Sequence, residues 1–155
     1  MVGRTPVALL ILVAAWGCAE PEEAAPRHLP DTLLRDSLGL GDLDRVYRVE
    51  LGVEDGAFTA EPATLEIPRG VWVEFVTSRG WPRTVTFELD SLPEAAAELL
   101  RSTGQDASPP LLDPGTRFVV GFEGAPAGRY PYVVEGSGRT ARGAVVVADP
   151  VGEGR

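Results

Sequence analysis

The stretch Thr64 to Asp90, "TLEIPRGVWVEFVTSRGWPRTVTFELD", decides the fold. Its first part, with Ala63, reads as two strands, Ala63–Pro68 and Val71–Ser78, separated by the turn Pro68-Arg69-Gly70. In its last part Val85, Phe87 and Leu89 alternate with Thr84, Thr86 and Glu88, the period-two pattern of a strand with one buried face. Arg83 shares the parity of the apolar set. If the strand starts that early, a guanidinium is directed inward, after a Trp and a Pro.

Working outward, Arg45–Leu51 alternates in the same way, and Thr116–Glu123, Gly128–Glu135 and Arg142–Asp149 bring the expected total to about seven strands. Turn signals recur about every ten residues, the signature of an all-β Greek-key sandwich. Two segments change period. Ser91 with Glu94 spells a capping box, Pro93 lies in the first turn and Gly104 is a stop, which predicts an inserted helix over 91–103. Leu33, Leu34 and Leu38 have helical spacing between Asp31, a plausible N-cap, and Gly39, a stop. They predict a short N-terminal helix within 31–44 that packs on the domain.

The chain has 155 residues, enough for one domain plus extensions. Acidic residues outnumber basic ones 23 to 14, with no basic run, which excludes a nucleic-acid partner. Every basic residue is an arginine and Lys and Asn are missing, which reads as coding bias rather than function. Arg4 followed by the apolar run Val7–Trp16 has the form of a signal peptide, too short to span a bilayer. The run ends in "AAWGC", which resembles the bacterial lipoprotein cleavage motif with Ala15 where that motif prefers Leu. The resemblance implies that 1–17 is a signal peptide and that Cys18 becomes a lipidated N-terminus. Ala19, rather than Asp, follows it, so the expected site is the outer membrane of a bacterial cell envelope, facing the periplasm. Residues 18–30, rich in Pro, Ala and Glu, read as a flexible tether. The domain is expected over 45–150 and a tail over 151–155.

Three singletons constrain the chemistry. Cys18 is the only cysteine, Met1 the only methionine and His28, in the tether, the only histidine. Asp36, Asp42 and Asp44 lack the spacing of a calcium loop and read as solvated carboxylates. Without a domain histidine there is no Ser-His-Asp relay and no imidazole base. Glu88 and Asp90 read as a solvated strand face rather than a catalytic carboxylate pair. "EGSGRTARG", Glu135 to Gly143, leads into a strand and not a helix, so it reads as a hairpin loop rather than a phosphate loop.

The order of these segments resembles the cupredoxins, the plastocyanin-like blue-copper domains. "FTAEPATLEIPRGVWVEFV" is similar to their opening strands. "WPRTVTFELDSLP" is similar to the strand that carries their first copper-binding histidine. "LLDPGTRFVVGFEGAPAGRYPYVVEGSGRTARGAVVV" is similar to their last three strands, and the likeness spans about Arg45 to Asp149. The resemblance implies copper-ligand positions at Arg83 (first His), Val134 (Cys), Ser137 (second His) and Ala141 or Arg142 (axial Met, the loop being slightly shortened). None keeps its ligand type. A blue-copper site needs two imidazoles, a thiolate and usually a weak axial sulfur, and the chain from Arg45 onward contains no His, Cys or Met. A Cys/His zinc site fails on the same count.

The expected function is therefore a copper-free, non-enzymatic cupredoxin-like lipoprotein with no cofactor, acting as a binding module. The alternatives are a copper electron carrier, opposed by the missing ligands, and an enzyme using carboxylates. One constellation remains. The fold implies that Trp81, Arg83, Arg139 and Arg142 converge at one end, a candidate face for an acidic protein or an anionic small molecule. The competing structural reading is that Arg83 pairs with Glu135 and plugs the vacated metal cavity, with Trp81 covering the sandwich end.

Overall fold

The computed structural model describes residues 27–28, 32–41, 44–79 and 81–149. Cys18, the signal peptide, Asp31, Asp42 and the 151–155 tail lie outside the described residues. The described elements are β1 (Arg27–His28), α1 (Thr32–Leu38), β2 (Val46–Glu54), β3 (Ala57–Glu61), β4 (Thr64–Ile67), β5 (Trp72–Thr77), β6 (Thr84–Phe87), a 3-10 turn (Leu89–Ser91), α2 (Glu94–Ser102), β7 (Arg117–Gly121), β8 (Gly128–Gly136) and β9 (Arg139–Val147).

Two sheets form the sandwich. The first runs β1-β2-β5-β7 with β3 also on β2, and the second runs β4-β9-β8-β6. The two strands of the opening stretch, β4 and β5, do not pair with each other. The Pro68–Gly70 turn carries the chain from one sheet to the other, and each strand finds a parallel partner, β4 with β9 and β5 with β2. Alternate residues of both sheets point into one core. Val49, Leu51, Leu65, Val73, Phe75, Val85, Val120, Phe122, Tyr132, Val134 and Val145 are all fully buried there. Phe75, Phe87 and Tyr132 meet edge-on at its centre, with centroids 5.0 to 6.2 Å apart.

α1 lies on the outer face of the first sheet. Leu34 and Leu40 cover Val46, Trp72 and Val119 in a second, small apolar cluster. Gly39, at φ 64°, stops the helix as expected.

Nine described strands replace the expected seven. The added β3 arises because Asp55-Gly56, both at positive φ, makes a two-residue hairpin that folds Phe58 and Ala60 into the core. The added β1 places Arg27 and His28 opposite Tyr47 and Val46, inside the segment 18–30 read as a flexible tether. The inserted helix is shorter than 91–103. Ser91 belongs to the preceding 3-10 turn, Pro93 occupies the N-cap without a side-chain cap bond, and the expected capping box does not form. Pro93 is the cause, since the residue before a proline is driven to extended geometry, and Leu92 has ψ 150°.

Candidate functional site

Arg83 enters the interior as its parity requires and is 1% exposed. Its main chain is held on one side by an antiparallel bridge to Leu111. On the other side Gly136 permits a close approach, because a Cβ there would overlap the Pro82 carbonyl oxygen. The guanidinium reaches across the sandwich to the first sheet. Nη1 donates to Leu51 O (2.9 Å) and Gly52 O (3.0 Å), Nη2 to Arg79 O (2.7 Å), and Nε to Trp81 O (3.0 Å). One side chain thus ties the end of β2, the 79–81 loop and the start of β6 together, and carbonyl dipoles, not a carboxylate, neutralise it. Burial lowers the Arg83 pKa from its usual value by removing hydration from the charged form.

The Arg83 carbon Cζ stands 4.7 Å from the Phe58 ring centroid. Phe58 meets Trp81 edge-on at 6.5 Å, and the Arg139 guanidinium lies over the Trp81 ring at 3.9 Å. Cation, ring, ring and cation form a column from core to surface. Its outer end is accessible, with Trp81 38% exposed. Arg139 is oriented by Nε donating to Gly56 O (2.5 Å) and Nη1 to Ser137 O (3.3 Å), so it pins one hairpin tip against the other.

The remaining candidate positions separate. Val134 is fully buried opposite Val85 in the β6–β8 ladder. Ser137, at φ 48°, and Gly138, at φ 71°, are the two residues of a tight turn, and the β8–β9 pairing runs out to Gly136 opposite Arg139. Ala141, opposite Val134, is packed against the core, whereas Arg142 faces out of the sheet and pairs with Glu88 Oε1 at 2.5 Å.

Two expectations are thereby corrected. The Arg83 guanidinium does not pair with Glu135, because backbone carbonyls take its donors. The four-residue convergence reduces to Trp81 and Arg139 at the surface with Arg83 sealed beneath, because strand alternation sends Arg142 to the opposite face from Arg139. Glu88, read as a solvated acid, is an ion-pair partner. Asp44 accepts a hydrogen bond from the Gly41 N–H (2.5 Å), which accounts for that carboxylate locally.

An open notch of about 320 Å³ lies beside this end, lined by Pro82, Thr84, Pro110, Glu135 and Ser137 with the backbone of Arg83 and Gly136. Because the Arg83 guanidinium turns inward, the charge presented to the notch is the Glu135 carboxylate, which suits no anion.

Sequence reasoning missed Phe58 and Gly56 as parts of the site. The Asp-Gly pair before an alternating "AFTAE" was the available signal for both.

The donor set does not fit a blue-copper ion. The interior at this end offers a guanidinium and main-chain carbonyls, where copper needs imidazole nitrogens and a thiolate. Among the described residues, no group of three His, Cys, Asp or Glu side chains is placed to hold a metal.

Comparison with known proteins follows the same line. The chain is 31% identical over 75 residues to plastocyanin from Ulva prolifera, covering 44% of this chain and 76% of that protein. It is 33% identical over 88 residues to plastocyanin from Scenedesmus fuscus, covering 56% of this chain and 83% of that protein. The oxidised plastocyanin structure from Dryopteris crassirhizoma superposes with a TM-score of 0.51 at 20% identity, over 65% of this chain and 99% of that one. No protein-family model matches the chain.

Proposed function

The chain belongs to the plastocyanin family of cupredoxins, and from that premise we propose that it is a copper-free, non-enzymatic binding module of the bacterial cell envelope, held by lipid at Cys18 on the periplasmic face of the outer membrane. The observation that carries this reading is the Arg83 side chain. It fills the end of the sandwich where the family resemblance places the first copper histidine, and its donors are spent on four carbonyls. A cation fixed there opposes a second cation in the same space, so the copper electron-carrier alternative is disfavoured on electrostatics as well as on ligand type.

The binding face is the outer end of the column, Trp81 with Arg139. A guanidinium placed over an indole and held by two carbonyls is already ordered, so less conformational entropy is lost when it meets a ligand. Trp and Arg are the residue types that most often carry binding energy at interfaces. The guanidinium fork suits a carboxylate or a phosphate, which makes an acidic protein segment or a small anion the matching partner.

The test is a titration of the purified protein with a glutamate-rich peptide and with inorganic phosphate, followed by isothermal titration calorimetry, together with copper analysis. Saturable binding that weakens at least about tenfold in Arg139→Ala and in Trp81→Ala, in a protein with substoichiometric copper, supports the reading. A stoichiometric, strongly coloured copper form overturns the copper-free part. No saturable response to either probe overturns the anion face.

A further inference from the structure

The notch at the Arg83 end is bordered by a carboxylate that nothing else in the described fold uses. Glu135 stands opposite Thr84 in the β6–β8 ladder and opposite Thr140 in the β8–β9 ladder. Cross-strand partners share a face, so the three side chains lie side by side on the outer face of the second sheet. Glu135 thus has a hydroxyl on each neighbouring strand and a directly opposed cation on neither. The arginines nearest to it along these strands are committed elsewhere. Arg142, on the same face, pairs with Glu88. Arg139 has the opposite parity and lies over Trp81, and Arg83 turns inward to carbonyls. Among the described residues, no ion pair or side-chain hydrogen bond engages the Glu135 carboxylate or the Thr84 and Ser137 hydroxyls.

An unpaired surface glutamate is ordinary, but the place of this one is not. It borders a cavity of about 320 Å³ whose other side-chain walls are neutral, the rings of Pro82 and Pro110 and the hydroxyl-bearing Thr84 and Ser137. The walls are built in advance. Arg83 and Leu111, the residues that follow the two prolines, exchange both main-chain hydrogen bonds, at 3.2 and 2.8 Å. Proline has a fixed φ and no N–H, so neither proline brings a donor that competes for the carboxylate.

We infer that this notch is a binding site for a primary alkylammonium group, carried either by a lysine side chain of a partner protein or by a free amine. An ammonium has three donors and no acceptor, and the carboxylate and hydroxyl oxygens of the notch are acceptors for them. The methylene stem behind the ammonium lies against the proline rings, the arrangement by which long cationic side chains cover apolar surface while the head meets polar groups. The chain contains no lysine, so a second copy of it supplies no such side chain. The site is separate from the Trp81–Arg139 face. Its ligand carries the opposite charge, and Glu135 and Arg139 project from opposite sides of the β8–β9 ladder.

The test is an amide NMR titration of the full, nitrogen-15-labelled chain with n-butylammonium chloride at constant ionic strength. Saturable shifts at the Thr84, Glu135, Gly136 and Ser137 amides are expected, with a dissociation constant on the order of 1 mM or tighter. Glu135→Gln is expected to weaken binding at least about fivefold, and Thr84→Val, which keeps the shape and removes one acceptor, about twofold. Glu66→Gln, an exposed acid on β4 of the same sheet, is expected to change nothing and controls for diffuse attraction to an acidic protein. The spectrum of each variant before titration shows that it is folded. A lysine-bearing tetrapeptide titrated in parallel separates the sources. Tighter binding of the peptide than of butylammonium supports the site with a protein lysine as ligand, and equal binding supports it with a free amine. Shifts that stay linear, that centre outside the notch, or that weaken as much in Glu66→Gln as in Glu135→Gln overturn the inference.

Discussion

The Arg83 guanidinium stacks 4.7 Å from the Phe58 ring while giving hydrogen bonds to Leu51, Gly52, Arg79 and Trp81 carbonyl oxygens. A buried cation in this protein is therefore a cross-link between the two sheets, and its removal takes a donor from four carbonyls rather than leaving a counter-charge; Leu51 O keeps the Ser78 N–H and hydroxyl, and Arg79 O keeps the Trp81 N–H. A buried acceptor left unpaired costs about 1–3 kcal/mol. Arg83→Met is expected to lower unfolding free energy by about 1–3 kcal/mol in urea titration. Arg83→Lys, with a single ammonium in place of the planar fork, is expected to lose about half as much. A neutral Arg83→Met would show that water replaces the guanidinium without penalty.

Arg142 and Arg139 are three residues apart on one strand and behave oppositely. Arg142 forms an exposed pair with Glu88, of a kind worth about 0–1 kcal/mol. Arg142→Ala is expected to leave both stability and anion binding within error of the parent, and Arg139→Ala to weaken binding at least about tenfold. Equal losses in the two variants would mean that the response is diffuse charge rather than a site.

Tyr132 is fully buried, its hydroxyl has no hydrogen-bond partner among the described residues, and burial raises its pKa well above the usual tyrosine value. The unfolded chain releases this proton near pH 10 and the folded one does not, so folding stability is complete below about pH 10 and falls as pH rises beyond it, by up to about 1.4 kcal/mol per unit. Tyr130, also raised by burial and slightly opposed by Arg69, adds in the same direction. Tyr132→Phe is expected to be neutral or stabilising at pH 7 and to shallow the alkaline decline. A loss above about 1 kcal/mol at pH 7 would reveal a partner for the hydroxyl.

Gly136 lets β8 pass the Pro82 carbonyl, with Arg83 Cα 3.0 Å from the place of its missing Cβ. Both near neighbours are backbone, so neither can rotate aside. Gly136→Ala is expected to destabilise by about 2 kcal/mol or more, within the range of overpacked sites, and to loosen the Arg83 cross-link. Gly138→Ala, at φ 71° with open space around it, should cost about 1 kcal/mol from backbone strain alone. The order of the two thermal midpoints checks this.

Putting ligands back is not expected to recreate a copper site. Combining Arg83→His, Val134→Cys and Ser137→His places the third residue on a two-residue turn, where the β8–β9 ladder leaves no loop to fold over an ion. Copper titration of the triple variant should give no intense thiolate-to-copper absorption. Its appearance would mean that the turn rearranges readily.

Local pattern alone determined a great deal. Alternation placed seven strands and the inward parity of Arg83, since the two-residue period of a strand is set by covalent geometry. Composition ruled out a blue-copper ligand set in the domain, because no fold creates an imidazole or a thiolate from a segment that, from Arg45 onward, contains neither His nor Cys. Tertiary structure decided the rest. The likeness to copper proteins put Arg83 and Arg142 in one cluster, yet strand alternation on β9 turns Arg142 away, and only pairing register reveals it. Glu135 looked the natural partner for Arg83, but the guanidinium is long enough to cross the sandwich, and the nearest acceptors there are main-chain carbonyls that carry no residue-specific signal. Phe58 and Gly56 reach the site through β3, a strand whose contribution depends on pairing across the hairpin with β2. Which groups satisfy a buried charge is a question of distance through space, and distances between segments some thirty residues apart are fixed when the sheets close on each other.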